Sequence, residues 1–108
     1  MGELRPRIIE IDLESGEYQR LLKDNVDSVA MHSGFVTLKP GSTVGRHSTG
    51  NKEEIILILE GEGKFVYGNG EEMAIKYGTA AYCPPNIEHD IVNTGANSLK
   101  YIYVVSKV

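Results

Sequence analysis

The sequence predicts an all-β chain folded as a small barrel, and three features carry that prediction. Turn-forming residues recur at the short intervals of an all-β sandwich or barrel. The runs between them are short and rich in β-branched and aromatic residues, which suit a pleated, half-buried surface. Helix is nearly absent, and no internal repeat, low-complexity block or charge run interrupts the pattern.

The main breaks are Ser15-Gly16, Asp24-Asn25, Pro40-Gly41, Gly61-Glu62-Gly63, Gly68-Asn69-Gly70, Gly78 and Pro84-Pro85-Asn86. They delimit expected strands at residues 7–11, 26–32, 34–38, 54–59, 64–67, 71–75, 79–83, 89–92 and 99–106. Residues 18–23 admit one turn of helix, but extended or irregular structure is the preferred reading. Gly68-Asn69-Gly70 is the strongest hairpin signal, because Asn and Gly tolerate the positive φ of tight hairpin turns. Gly61 and Gly63 serve backbone geometry at a tight bend, since no helix start follows them to hold a phosphate. In the last run Tyr101, Tyr103 and Val105 share one face against Ile102 and Val104 on the other. A strand apolar on both faces of so small a barrel implies that its outer face packs on another sheet or a second subunit, so a homodimer is expected.

At 108 residues the chain is read as one domain, 1–108. The longest uninterrupted apolar stretch, residues 55–59, is far short of the about 20 needed to cross a bilayer. The first residues lack the apolar region of a secretory signal. A net charge of −4 with interspersed Lys and Arg offers no basic stripe, which disfavours nucleic acid and anionic membranes as partners. The lone Cys83 cannot form an internal disulfide, in keeping with a reducing compartment. A soluble, cytoplasmic protein with a small-molecule partner is the expectation.

Chemistry concentrates in two clusters. The first is Gly41, five residues, His47, one residue, Thr49, four residues, Glu54, six residues, Gly61. The second is Gly78, five residues, Pro84-Pro85-Asn86, two residues, His89, three residues, Asn93. Each begins at a glycine turn and carries one imidazole near the end of a β-rich run, as strands sharing one barrel interior would. Two imidazoles and a carboxylate are the side chains of a facial triad, which leaves metal positions open to water or substrate. His47, Glu54 and His89 are the candidate metal ligands. Glu53 remains an alternative to Glu54, because neighbouring strand residues face opposite ways and the run at 55–59 is apolar on both faces.

These clusters resemble the two motifs of the cupin family of small β-barrels, over about half the chain, from Gly41 to Asn93. The resemblance implies a double-stranded β-helix, or jelly-roll barrel. In that family the first motif supplies two histidines one residue apart and then a glutamate, and the second motif supplies a third histidine. His47, Glu54 and His89 match ligand positions; Thr49 stands where the second histidine is expected, and Asn86 replaces a glycine. The family implies a divalent transition metal (manganese, iron, nickel, zinc or copper) and action on a small oxygen-rich or enolisable metabolite, of dioxygenase, decarboxylase or isomerase type. The loss of the second histidine supports a different reading, a non-catalytic, metal-free barrel that binds a small ligand. No catalytic residue is assigned.

Other residues have blander expected roles. Thr49 reads as a loop residue, since Ser48 to Lys52 is rich in turn formers. His32 lies outside both clusters and reads as structural, with a cavity position as the alternative. Cys83 reads as a small buried hydrophobe. Tyr67, Tyr82 and Phe35 are candidates to line a cavity or fill the core, and Arg46 to solubilise or to hold an anion at the barrel mouth.

Overall fold

The computed structural model describes residues 3–108, so Met1 and Gly2 lie outside it. Eight strands follow in order: β1 (Gln19–Leu22), β2 (Met31–Leu38), β3 (Lys52–Glu60), β4 (Glu62–Tyr67), β5 (Glu71–Lys76), β6 (Ala80–Cys83), β7 (His89–Asn93) and β8 (Leu99–Lys107). One sheet has the order β1-β2-β8-β3-β6 and the other β5-β4-β7, and every pairing is antiparallel. Residues 41–47 extend the smaller sheet along β7, with Gly41, Val44 and His47 amides donating to the carbonyls of Asn93, Ile91 and His89. The chain passes between sheets at the sharp β3–β4 corner, and the core lies between them. It comprises Leu38, Ile56, Ile58, Phe65, Ile75, Ala81, Cys83, Ile91, Leu99 and Tyr101.

The Gly68-Asn69-Gly70 hairpin joins β4 to β5 as expected. Gly68 and Gly70 have φ of 60° and 102°, and the Gly70 amide donates to Tyr67 O at 3.2 Å. Nearer the N-terminus two expectations fail. Residues 7–11 form no strand, and the N-terminal strand is β1, within the segment read as extended or irregular. The runs expected at 26–32 and 34–38 do not form two strands: pairing begins at Met31 and continues through Gly34 to Leu38. Residues 24–30 turn back on themselves instead: the Asn25 amide donates to Ser28 O at 3.0 Å, the Val26 and Asp27 amides donate to Lys23 O at 3.2 and 3.1 Å, and side chains of the turn bond the flanking backbone. Asp27 Oδ1 accepts from the Lys23 amide at 2.6 Å, and Ser28 Oγ donates to the carbonyls of Lys23 and Met31. Such local bonds compete with a ladder.

Burial along β3 decides the register that apolar pattern alone left open. Glu54, Ile56 and Ile58 are buried, whereas Ile55, Leu57 and Leu59 are 39%, 39% and 37% exposed on the outer face. In β8, Tyr101 and Val105 point inward opposite Ile58 and Glu54. Asn93 is buried and acts on the backbone: its Nδ2 donates to Leu38 O and Asn97 O, and its Oδ1 accepts from Gly95. Among the described residues no helix is long and apolar enough to cross a membrane.

Candidate metal centre

Both sheets contribute to one point. His47 and His89 exchange both backbone hydrogen bonds, His47 N to His89 O at 2.9 Å and His89 N to His47 O at 2.8 Å. Directly paired residues project their side chains to the same face, and the two rings meet edge-on with centroids 4.4 Å apart. From the opposite sheet, β3 carries Glu54 inward between Cys83 of β6 and Val105 of β8. Its Oε1 lies 2.9 Å from His89 Nε2. Glu53 points the other way, where its carboxylate accepts from the Tyr82 hydroxyl at 2.8 Å, so Glu54 is the acidic member of the cluster. One ligand atom from each of His47, Glu54 and His89 lies within 4.8 Å of the other two.

The second ring nitrogen of each histidine is already committed. His89 Nδ1 faces Ile87 O at 2.9 Å and His47 Nδ1 faces Gly45 O at 2.7 Å. A carbonyl only accepts, so both Nδ1 atoms carry hydrogen, which leaves Nε2 of each ring as the nitrogen open to a ligand. Metal-ligating histidines are oriented in this way. With His89 protonated its Nε2–H donates to Glu54 Oε1 at 2.9 Å; with His89 neutral the two are acceptors facing each other, an arrangement that calls for a cation between or beside them. Donors 2.9 Å apart also match two adjacent ligands on one ion with bonds of about 2.0–2.3 Å. The donor set therefore fits a divalent transition metal. The hydrogen bond that protonated His89 donates to Glu54 raises the His89 pKa above its ordinary 6.5, and burial opposes that rise.

A cavity of about 830 Å³ opens beside the cluster. His47, Glu54, Tyr101, Tyr103 and Val105 line it with the cationic Lys23, Arg46 and Lys52 and with Asp24, while His89 is fully buried behind. Thr49 also borders the cavity, but its hydroxyl donates to Lys52 O at 3.0 Å, as the loop reading expects. Asn86 takes a φ of 63°, the left-handed backbone that its glycine counterpart would adopt freely. His32 does line the cavity; its ring stacks on Tyr103 at 5.9 Å, and its Nδ1 lies 3.8 Å from Asp24. Arg46 stands at the rim, tied to Glu88 at 2.9 Å and to Gly68 O at 2.6 Å.

The aromatic candidates lie elsewhere. Tyr82 is 56% exposed on the outer face, Phe35 is wholly buried, and Tyr67 borders a separate small cavity with Phe65, Cys83 and Ile87. Cys83 is buried, its Sγ 3.5 Å from His89 Nδ1, and burial holds its thiol above the usual range, so it remains an unreactive core residue. Sequence reasoning did not place Tyr18, Lys23, Asp24 and Lys52 in the cavity. They come from the N-terminal arm, the β1–β2 connection and the first residue of β3, which only the tertiary fold gathers around the cavity.

A family model for the cupin domain matches residues 34–105. The chain belongs to the cupin family. This cupin is 35% identical over 109 residues to an oxalate-binding protein of Thermotoga maritima, covering 96% of this chain and 88% of the relative. Its fold superposes on a Thermotoga maritima protein described as a predicted oxalate decarboxylase, with TM-score 0.77, 32% identity and coverage of 84% and 79% of the two chains. It also superposes on a cupin of Methanocaldococcus jannaschii with a double-stranded β-helix fold, with TM-score 0.81, 18% identity and coverage of 97% and 94%. At that identity the second likeness speaks for the fold alone.

Proposed function

We propose that this cupin holds one divalent transition metal through His47, Glu54 and His89 and presents it to a small carboxylic acid of the oxalate kind in the adjoining cavity. The observation that carries the proposal is His89 Nε2 set 2.9 Å from the Glu54 carboxylate, with the Nδ1 atoms of both histidines facing backbone carbonyls. A bound divalent ion would supply Lewis acidity and open coordination positions for an oxygen ligand. The chain's own residues do the rest. Lys23, Lys52 and Arg46 bring positive charge to the cavity, Val36, Val44 and Ile91 supply apolar wall, and Tyr101 and Tyr103 stay protonated because burial raises both phenols. The names of the Thermotoga maritima relatives support oxalate as the first ligand to try. Decarboxylase, dioxygenase and isomerase chemistry are all compatible with this set of donors.

One observation favours a second reading, a metal-free binding module. Thr49 spends its hydroxyl on Lys52 O, so the cluster has three ligands where the family pattern offers four, and a proton alone satisfies the His89–Glu54 pair. Metal analysis of protein purified without an affinity tag separates the two, together with oxalate titration before and after chelation. Stoichiometric metal lost in His47→Ala and His89→Ala supports the first reading; chelated protein that still binds oxalate with undiminished affinity supports the second.

We further infer a homodimer built on the outer face of the five-stranded sheet. Ile55 lies between Tyr82 and Val104, and Leu57 between Ala80 and Ile102, giving one continuous apolar surface across β6, β3 and β8. A patch of this kind marks an interface. A cytoplasmic setting is supported by the free Cys83.

A further inference from the structure

Gly34 is an inward-facing residue of β2 in register with Tyr103 of β8, and it leaves a notch in the cavity wall. The ring of Tyr18, from the arm just before the edge strand β1, lies in that notch. A Cβ on Gly34 would meet Tyr18 Oη at 2.5 Å, Cε1 at 2.6 Å and Cζ at 2.8 Å. Tyr18 stacks on Tyr103 with centroids 6.4 Å apart and an interplanar angle of 12°, and their hydroxyls meet at 2.5 Å. His32 stacks on Tyr103 as well.

Two hydroxyls in mutual contact carry two protons, and one of these forms the bond between them. Among the described residues neither oxygen has another hydrogen-bond partner, so the second proton is available. Both residues line the same cavity as Glu54 and His47. Tyr103 is two residues from Val105, the register partner of Glu54, so its Cβ is a diagonal neighbour of Glu54 at about 7–8 Å on the same inner face. The Tyr18, Tyr103, His47 and Glu54 side chains thus face one shared cavity.

We propose that the Tyr18–Tyr103 hydroxyl pair is a neutral oxygen-binding subsite that donates to the far carboxylate of a short diacid whose near carboxylate sits at the His47, Glu54 and His89 cluster. Tyr18 is thus a specificity-determining residue, and Gly34 is the residue that admits it. The proposal rests on the carboxylic-acid reading above and adds to it a preference for diacids over monoacids.

The test is calorimetric titration of manganese-loaded protein with oxalate, malonate, succinate and acetate, comparing wild type with Tyr18→Phe, Tyr103→Phe, Gly34→Ala and the distant, exposed control Tyr77→Phe. Wild type and Tyr77→Phe are expected to prefer at least one diacid over acetate. A hydrogen bond to a charged group is strong enough that Tyr18→Phe and Gly34→Ala should each lower that diacid affinity by about tenfold, with acetate affinity unchanged. Tyr18→Phe removes one oxygen and leaves the ring in its notch, so it decides the matter if Gly34→Ala fails to fold. An unchanged diacid-to-acetate ratio in Tyr18→Phe, or a wild type with no diacid preference, overturns the subsite while leaving the acid-binding centre standing. Wild type that takes up manganese but binds none of the acids overturns the carboxylic-acid reading, and the subsite falls with it.

Discussion

Replacing Glu54 by Gln alters charge at the centre while keeping shape, and the consequence depends on pH in a direction the structure fixes. In metal-free wild type at about pH 6, His89 is an imidazolium whose Nε2–H donates to the buried Glu54 carboxylate, a charge-assisted bond of about 1.5–3 kcal/mol. In Glu54→Gln the amide nitrogen donates to the neutral Nε2 lone pair, and the remaining bond is neutral, about 0.5–1.5 kcal/mol. The variant should therefore be less stable by about 1–2 kcal/mol at acidic pH, roughly 5–10 °C in Tm for a chain of this size. The folded-state pKa of His89 is raised, so its contribution is fully present below the ordinary value of 6.5 and is lost as pH rises through the raised value. Above that raised value wild type must hold two acceptors face to face, and the gap should close or invert. Added metal at about a hundred times its Kd should restore about 2.7 kcal/mol to wild type and markedly less to the variant. Thermal unfolding followed by circular dichroism, with and without chelator across this range, reads all of these. A stability gap that does not move with pH, or equal stabilisation of both proteins by metal, would refute the reasoning.

Three further outcomes are expected. Asn93→Ala removes three backbone-directed bonds made by a buried amide, and should destabilise by about 2–4 kcal/mol in urea unfolding, without altering metal stoichiometry if the fold persists. Leu57→Glu places a charge in the middle of the outer apolar face and should convert a dimer to monomer in sedimentation equilibrium; an unchanged mass would remove that face from the interface. Tyr101 and Tyr103 have pKa values raised above 10 chiefly by burial, so the stability they contribute is held below pH 10 and lost as alkali ionises them. Ultraviolet titration should show two of the six tyrosines ionising only as the protein unfolds.

The cluster was legible because its parts lie in local frames. Turns at Gly50 and at Pro84-Pro85-Asn86 precede the strands at 52–60 and 89–93, and a matched pair of such frames brings His47, Glu54 and His89 inward. The choice between Glu53 and Glu54 was not legible from periodicity, because Ile55, Leu57 and Leu59 on the outer face are as apolar as Ile56 and Ile58 within. Only the pairing with Cys83 and Val105 separates them. The N-terminal third was read least well. The apolar residues at 8, 9 and 11 look like a strand but find no partner, whereas β1 is polar enough to pass for a loop and pairs because it lies along the edge of β2. Gly34 looked like the start of a second strand, although it is the point where a distant tyrosine comes too close for any side chain. His32 reached the cavity for a similar reason, through the register of β2 on β8.

At the proposed centre one cation is shared by residues from both sheets. Anomalous diffraction from crystals of metal-loaded protein, collected at that metal's absorption edge, tests this most directly. The predicted result is a single strong peak about 2.0–2.3 Å from Nε2 of His47, Nε2 of His89 and a carboxylate oxygen of Glu54. No peak there, or a peak bound at exposed carboxylates with the His89–Glu54 contact still closed at 2.9 Å, would contradict it.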